Sequence, residues 1–374
     1  MLLSQARTDR SLLSEWWRSI DRFQLGLFIA LILSGIILSM AASPAAAEKM
    51  EKGQPFYFLY RHVFFAFLGL SGAFIVSLMN VRTARRAGVL CLIGAIAVLS
   101  VLPAIGFEVK GAQRWMSIGP FSLQPSEFAK PGFIVFAAWM FSVRKKSPEF
   151  PGVFILFVVY ALLVFFLIRQ PDFGQSFLLT ACFGAVFFYA GLGLGWLMIL
   201  GGITLAGSLG VYTLMPHVRD RVDRFLNPEG SDTYQTDMAL QAISNGGIFG
   251  RGPGEGAVKY KLPDGHTDFI FAVFMQQFGL LGAAVLILLY LLIIWRCFQI
   301  TLKAQESFSR LLAGSLTITF FFSFFINMCM VSGLLPVVGL PLPLISYGGT
   351  SMVTMLANFG ILMSIHQHRK LIST

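Results

Sequence analysis

Charge is the scarcest property of this chain. Only 12% of its 374 residues are Asp, Glu, Lys or Arg, where a soluble protein carries about a quarter. That excludes an ordinary soluble domain, and the mean hydropathy of +0.74 agrees. Cysteine is sparse as well. Cys91, Cys182, Cys297 and Cys329 sit in or beside apolar runs at unrelated spacings, so they form neither a metal pattern nor a disulfide framework and are expected to pack. No phosphate loop is present. The stretch "GRGPGEG" (250–256) is glycine-rich but lacks the lysine and hydroxyl of such a loop, and no strand is expected before it. It reads instead as a flexible loop that exposes backbone. Ser142-Val-Arg-Lys145 matches the S-x-x-K pattern of acylating serine enzymes, but no KTG sequence accompanies it. The first 22 residues mix Arg7, Arg10, Arg18 and Arg22 with acids and carry no small-residue cleavage pattern, so no cleavable signal peptide is expected. Internal repeats and low-complexity tracts are absent too.

What the chain does have is long apolar runs. Ten stretches are long enough to cross a bilayer, near 23–43, 58–79, 87–106, 127–143, 152–168, 175–192, 194–215, 268–295, 309–333 and 345–366. The expected fold is therefore an all-α integral membrane protein of about ten transmembrane helices, a single polytopic domain over 1–374. Both termini then share one side. Arg82, Arg85, Arg86, Arg144, Lys145, Lys146, Arg296, Lys303, Arg310, Arg369 and Lys370 fall on that side, against Lys49, Lys52, Lys110, Arg114 and Arg169 on the other. The positive-inside rule makes the terminal side cytoplasmic, with residues 1–22 as a cytoplasmic segment. The net charge of +10 is mostly this bias toward membrane lipids and calls for no nucleic-acid partner.

Four polar features then lie on the outer side: 107–130, the turn 169–175, the long extracytoplasmic loop 216–267 between helices 7 and 8, and 334–349. Ionisable groups at membrane depth are costly and point to function. Glu127 and Lys130 share one face at the start of a span and read either as a sealing ion pair or as a site. Arg114 reads as an interfacial anchor beside Trp115 or as a ligand group. Asp172, in "QPDFG", reads as a helix cap or as part of a site. In the loop, 217–226 reads as an amphipathic interfacial helix whose Arg219, Arg221 and Arg224, interleaved with Asp220 and Asp223, form either a solvated face or groups that attract an anionic headgroup. Thr267 is expected to cap the eighth span, with Asp268 in its first turn, where the helix dipole favours a carboxylate. Capping leaves the neighbouring Asp264 and His266 unexplained, and His266 reads best as a hydrogen-bonding positioner. In "PLPLISYGG", Pro341 and Pro343 are expected to start the tenth span, with Ser346, Tyr347, Gly348 and Gly349 allowing close backbone approach.

The motifs "KGAQRW", "QPSEFAK", "QPDFG", "LPDGHTDFIFA", "SGLLPVVGLPLPLISYGG" and the closing "HRK" resemble the SEDS family of shape, elongation, division and sporulation proteins, which are bacterial peptidoglycan polymerases. The match runs through nearly the whole chain in order. "GRGPGEGAVKYKLPDGHTDFIF" and "RTDRSLLSEWW" look like the division branch of alphaproteobacteria, with the elongation branch as close relative. Many members carry a Gln-Ser pair four residues after the loop tyrosine; after Tyr234 this chain has Met238-Ala239.

The resemblance implies lipid II as substrate, a disaccharide-pentapeptide on undecaprenyl pyrophosphate, joined into β-1,4 glycan outside the bacterial cytoplasmic membrane at the division septum. Inversion at the anomeric carbon needs a base for the acceptor 4-hydroxyl and cations for the pyrophosphate. The resemblance puts Asp268 as base. Arg114 and Lys130 are the expected pyrophosphate groups, Lys130 is also a cation that could orient Asp268, and Glu127 would hold Lys130. Asp172, His266, Ser346 and Tyr347 are expected to wall the substrate site. No organic cofactor is implied. A divalent cation, Mg or Mn, would use Glu127 and Asp268. The implied partners are a class B penicillin-binding transpeptidase and other division proteins. Two rival readings differ in class: a lipid II flippase, which would need headgroup contacts on both faces or midway through the bilayer, and a scaffold that recruits the transpeptidase.

Overall fold

A computed structural model describes residues 11–109, 112–191, 193–227 and 233–373. Arg7, Arg10 and Lys110 of the charge-bias argument, and the side chains of Arg369 and Lys370, lie outside it. A short amphipathic helix, α1 (Leu12–Ser19), leads into α2 (Arg22–Lys49), α3 (Tyr57–Ser77) and α4 (Val81–Ile105). After a small sheet come α5 (Pro125–Lys146), α6 (Gly152–Arg169), α7 (Phe173–Tyr189) and α8 (Leu194–Leu214). The long insert holds α9 (Pro216–Leu226), α10 (Tyr234–Gly246) and α11 (Val258–Lys261); α12 (Ile270–Lys303), α13 (Ser307–Val331) and α14 (Gly349–Ser373) close the chain.

Each of the ten expected stretches falls on one helix. Six of the described helices, α2, α3, α4, α6, α12 and α13, are long and apolar enough to cross a membrane, and the bent pair α8–α9 passes the same test only when taken together as a broken span or a re-entrant loop. Of the rest, α7 is a 17-residue apolar helix, and α5 carries Glu127 and Lys130 at one end and Arg144 to Lys146 at the other. The chain is a multi-pass membrane protein. Its helix ends follow local chemistry. The Asp21 side chain accepts from Gln24 N–H at 3.0 Å and starts α2, and Asn80 does the same for α4 through Thr83 at 2.8 Å. Pro125 and Pro216 stand in the first turns of α5 and α9, where a missing N–H costs nothing. In the bundle, α14 packs on α3, α5 on α4 and α12 on α13. Four of the expected packing positions hold free cysteines, of which Cys182 and Cys297 are buried.

Three departures from the sequence reading matter. First, 107–123 folds as a three-stranded antiparallel sheet, β1 (Phe107–Val109), β2 (Ala112–Ile118) and β3 (Phe121–Leu123), with Phe107 opposite Trp115 and Met116 opposite Leu123. Second, the expected amphipathic helix is present as α9, but it follows a sharp bend: the axis turns by 101° between 198–214 and 218–226. Third, "GRGPGEG" is not a free loop. Helix α12 is broken at Gly279 (φ 67°, ψ −168°). The 246–252 segment fills the break: Gly247 and Ile248 carbonyls accept from Leu280 and Leu281 N–H at 2.9 and 3.1 Å, and Arg251 and Gly252 N–H donate to Gln276 and Gln277 carbonyls at 3.0 Å each. A Cβ on Gly279 would collide with the backbone of Ile248 and Gly250, and one on Gly250 with that of Gln277 and Phe278. The glycines are there for this backbone-on-backbone contact.

Candidate active site

The segment 334–348 is largely irregular and folds back into one end of the bundle, burying Leu340, Leu342, Leu344 and Ile345. Irregular backbone at that depth survives only where protein satisfies its polar groups. Here it does so by gripping the loop before α12. The Tyr347 N–H donates to the His266 carbonyl at 3.0 Å. The Ser346 hydroxyl donates to the Thr267 carbonyl at 2.6 Å and accepts from Leu342 N–H at 2.8 Å. The Asn327 amide of α13 donates to the Asp268 carbonyl at 2.9 Å and to the Leu340 carbonyl at 2.6 Å. Three consecutive carbonyls, 266 to 268, are thus each fixed from outside their own loop. Leu344 takes a left-handed φ of 64° and Asp264 one of 53°; for buried Leu344 this is a strained conformation, of the kind that clusters at functional sites.

The capping expectation is corrected here. Helix α12 begins at Ile270 with Phe269 in the N-cap place and no side-chain cap bond. The Thr267 hydroxyl donates instead to the Asp264 carbonyl at 3.1 Å, inside a turn that Asp264 also closes with Thr267 and Phe269 N–H. Asp268 therefore precedes the helix, half-buried, and the position of its Oδ2 is marked by a Cβ built on Gly339, which would stand 3.5 Å away. The tenth helix likewise starts at Gly349 rather than at the prolines, because 341–348 is spent on the clamp.

Asp268 faces a cavity of about 520 Å³ whose lining comes from all four of the expected outer features: Arg114 and Glu127, Asp172 and Gln175, Arg221 and His266, and Gly339 and Tyr347. Arg114, on β2, donates to the carbonyls of Gln170 at 3.0 Å and of Pro171, and lies 3.6 Å from Asp172 Oδ1. Asp172 accepts from Gln175 N–H at 3.4 Å and from the Gln124 amide at 3.0 Å. It is thus both the cap of α7 and part of the wall. Burial pushes its carboxyl above the ordinary carboxylate range, and Arg114 pulls against that shift. Arg221 of α9 feels Arg114 and Arg224 as repulsion and Asp172 and Asp268 as attraction. His266 is buried between Phe58 and Tyr347, with ring centroids 4.4 and 6.0 Å away.

Lys130 sits behind this wall. It is 7% exposed, and its ammonium donates to Glu127 Oε1 at 2.9 Å and to Gln175 Oε1 at 2.7 Å. The cation thus orients Glu127, whose other oxygen, Oε2, is buried without a partner; the expected partnership of Lys130 with Asp268 is replaced by this one. Serving a divalent ion would fall to that single free oxygen and to Asp268. Among the described residues no cluster of three or more His, Cys, Asp or Glu could hold a metal, and Lys130 already occupies the other Glu127 oxygen. The donor set fits no metal cage built by the protein alone.

Two further cavities, of about 470 and 460 Å³, adjoin the first. Gln235 of α10 lines all three. The residues that sequence reasoning passed over are the neutral amides Gln124, Gln175, Gln235 and Asn327. One signal was available for Asn327: an amide within the apolar run "FFINMCMV" is itself uncommon at membrane depth.

Comparisons with known proteins place this arrangement. The family model of the FtsW, RodA and SpoVE cell cycle proteins matches residues 22–371. The chain is 42% identical over 364 residues to "Probable peptidoglycan glycosyltransferase FtsW" of Caulobacter vibrioides, covering 97% of this chain and 93% of the relative. It is 37% identical over 294 residues to "Peptidoglycan glycosyltransferase MrdB" of Escherichia coli, covering 76% and 78%. Among solved structures, a peptidoglycan synthase complex that coordinates polymerization and crosslinking contains a chain with TM-score 0.76 and 26% identity, covering 94% of this chain and 98% of that one. The rod shape determining protein RodA of Thermus thermophilus follows with TM-score 0.70 and 26% identity over the same shares. The chain therefore belongs to the FtsW, RodA and SpoVE family of cell cycle proteins.

Proposed function

We propose that this chain is a peptidoglycan glycosyltransferase that joins lipid II units into β-1,4 glycan at the outer face of the bacterial cytoplasmic membrane. The observation that carries this reading is Asp268, with its backbone fixed from three neighbours, facing a cavity that also presents Arg114 and Arg221. The donor sugar is α-linked to pyrophosphate, so one displacement gives the β product. Asp268 takes the proton of the acceptor 4-hydroxyl as the oxygen attacks the anomeric carbon. Pyrophosphate leaves without an acid, and Arg114 and Arg221 neutralise the charge gathering on it. Glu127, held by Lys130 and Gln175, and Asp172, held by Arg114 and Gln124, form the polar wall. Ser346, Tyr347 and His266 serve by holding the Asp268 loop.

The gathering of Glu127, Asp172 and Asp268 with three adjoining cavities at one end of the bundle favours polymerisation over the flippase reading, which calls for a site able to take the whole saccharide headgroup on both faces. The division septum is the site of action in this reading, and a class B penicillin-binding transpeptidase is the partner that cross-links the product. Purified chain incubated with lipid II in detergent, alone and with that partner, tests it. A glycan ladder on a gel supports the polymerase. Transfer of lipid II across vesicle membranes with no ladder under either condition would replace it with the flippase.

A further inference from the structure

A separate cavity of about 380 Å³ lies where the N-terminus of α4, the last turn of α5 and the start of α13 meet. Glu127 and Lys146 mark opposite ends of α5, roughly 28 Å apart at about 1.5 Å per residue, so this cavity is at the far end of the bundle from Asp268. Its lining carries three cations, Arg82, Arg85 and Lys146, against one acid, Glu306. We propose that it binds the phosphate headgroup of an anionic phospholipid of the membrane in which the chain sits.

The cations are unspent. None of the three has a hydrogen-bond or ion-pair partner among the described residues, Glu306 included. The Arg85 guanidinium stands over the rings of Trp139 and Phe308 at 5.1 and 5.7 Å. These aromatic contacts use none of its N–H groups, which remain for a ligand of the kind arginine binds through phosphate oxygens. The Ser307 hydroxyl is buried there with no partner, and α13 starts without a side-chain cap, so its first backbone N–H groups add a second set of donors suited to phosphate.

The occupant is a lipid rather than a soluble anion because of what continues from the cavity. Arg82, Arg86, Leu90 and Ile93 follow one another on one face of α4 at helical spacing. Leu90 and Ile93 are 68% and 59% exposed. A headgroup held at Arg82 places its acyl chains along that apolar face, the arrangement by which basic pockets at helix ends recruit anionic lipids.

The test uses the full chain in neutral detergent, titrated with phosphatidylglycerol and followed by native mass spectrometry. Phosphatidylcholine and inorganic phosphate are separate arms. Wild-type protein retains phosphatidylglycerol, and the exposed pair Arg82→Gln/Lys146→Gln binds it roughly tenfold or more weakly. Lys146→Gln alone gives about a fivefold loss. Arg144→Gln/Lys145→Gln, which removes the same charge outside the lining, leaves binding unchanged. The proposal is overturned if the first pair binds as the wild type does, if the control pair loses as much, if phosphatidylcholine binds equally well, or if inorganic phosphate at the same concentration displaces the lipid. None of these readouts depends on glycan synthesis.

Discussion

Asp268 differs from an ordinary helix-capping acid in how its main chain is held. A cap is fixed by its own helix, whereas the carbonyls of 266–268 are fixed by Tyr347, Ser346 and Asn327. Asp268→Asn keeps the shape and removes the base, so the rate of glycan synthesis from lipid II falls by about 10²–10⁴ while the protein inserts and melts like the wild type; full activity in that variant would remove Asp268 from the mechanism. Asn327 makes a subtler case. Replacing it by Ala strands the Asp268 and Leu340 carbonyls without their donor, at a stability cost of about 1–3 kcal/mol. Because Asn327 holds the Asp268 backbone and does not line the cavity, the turnover rate falls while the half-saturation concentration of lipid II stays nearly constant. Asp268 was legible because an acid beside a greasy helix is expensive and therefore informative. Asn327, Gln124 and Gln175 were not, because a neutral amide does not reveal which distant carbonyl, carboxylate or ammonium it will meet.

At the scale of the elements, hydrophobic runs located the helices but cut several short, as at 43 against Lys49 and 295 against Lys303, where the helix runs on into polar residues, and they were blind to interruptions. Gly279 sits inside an apolar stretch interrupted only by Gln276 and Gln277, and nothing in hydropathy shows that a loop laid against it supplies the missing backbone bonds. The strands of 107–123 escaped for another reason: two of the three are only three residues long, too short for an alternating pattern. Gly279→Ala or Gly250→Ala forces a side chain into backbone at positive φ, so each lowers stability by more than about 1 kcal/mol, read as a drop in melting temperature in detergent. A second joint ties α2 to α12. Arg296 donates to Asp21 Oδ2 at 2.7 Å. Burial raises the pKa of the Asp21 carboxyl, but the Gln24 N–H and Arg296 lower it by more, so it ends below its ordinary value. A lowered carboxylate stabilises the fold above its unfolded pKa and loses that contribution as pH falls through the folded one. Asp21→Asn, which preserves the cap, therefore melts lower than wild type at pH 7, and the gap closes below about pH 4. A gap that persists unchanged at pH 3 would show that the ion pair is idle.

For the whole molecule, charge bias gave an orientation and the polar clusters gave a working face. The structure gathers those clusters at one bundle end around three adjoining cavities, and it leaves Arg82, Arg85 and Lys146 at the other. In a background with the four native cysteines replaced, a cysteine at Gly254 reacts with a membrane-impermeant maleimide added outside cells or spheroplasts, and one at Ser147 reacts only after lysis. The reverse pattern would invert the topology and put Asp268 in the cytosol.

The stitch between 246–252 and the break in α12 has a mechanical meaning. The stub Ile270–Phe278 begins two residues after Asp268 and ends at Gly279; two peptide hydrogen bonds, to the Gln276 and Gln277 carbonyls, fasten it to the insert, and two more hold Leu280 and Leu281 beyond the break. Insert and stub make one lever, so a tug on the outer loop arrives at the carboxylate through main chain alone. Exchanging the side chains of Ile248, Phe249 or Arg251 leaves that transmission whole, whereas a proline at 251, which deletes the N–H bound to Gln276, uncouples the handle from the tool.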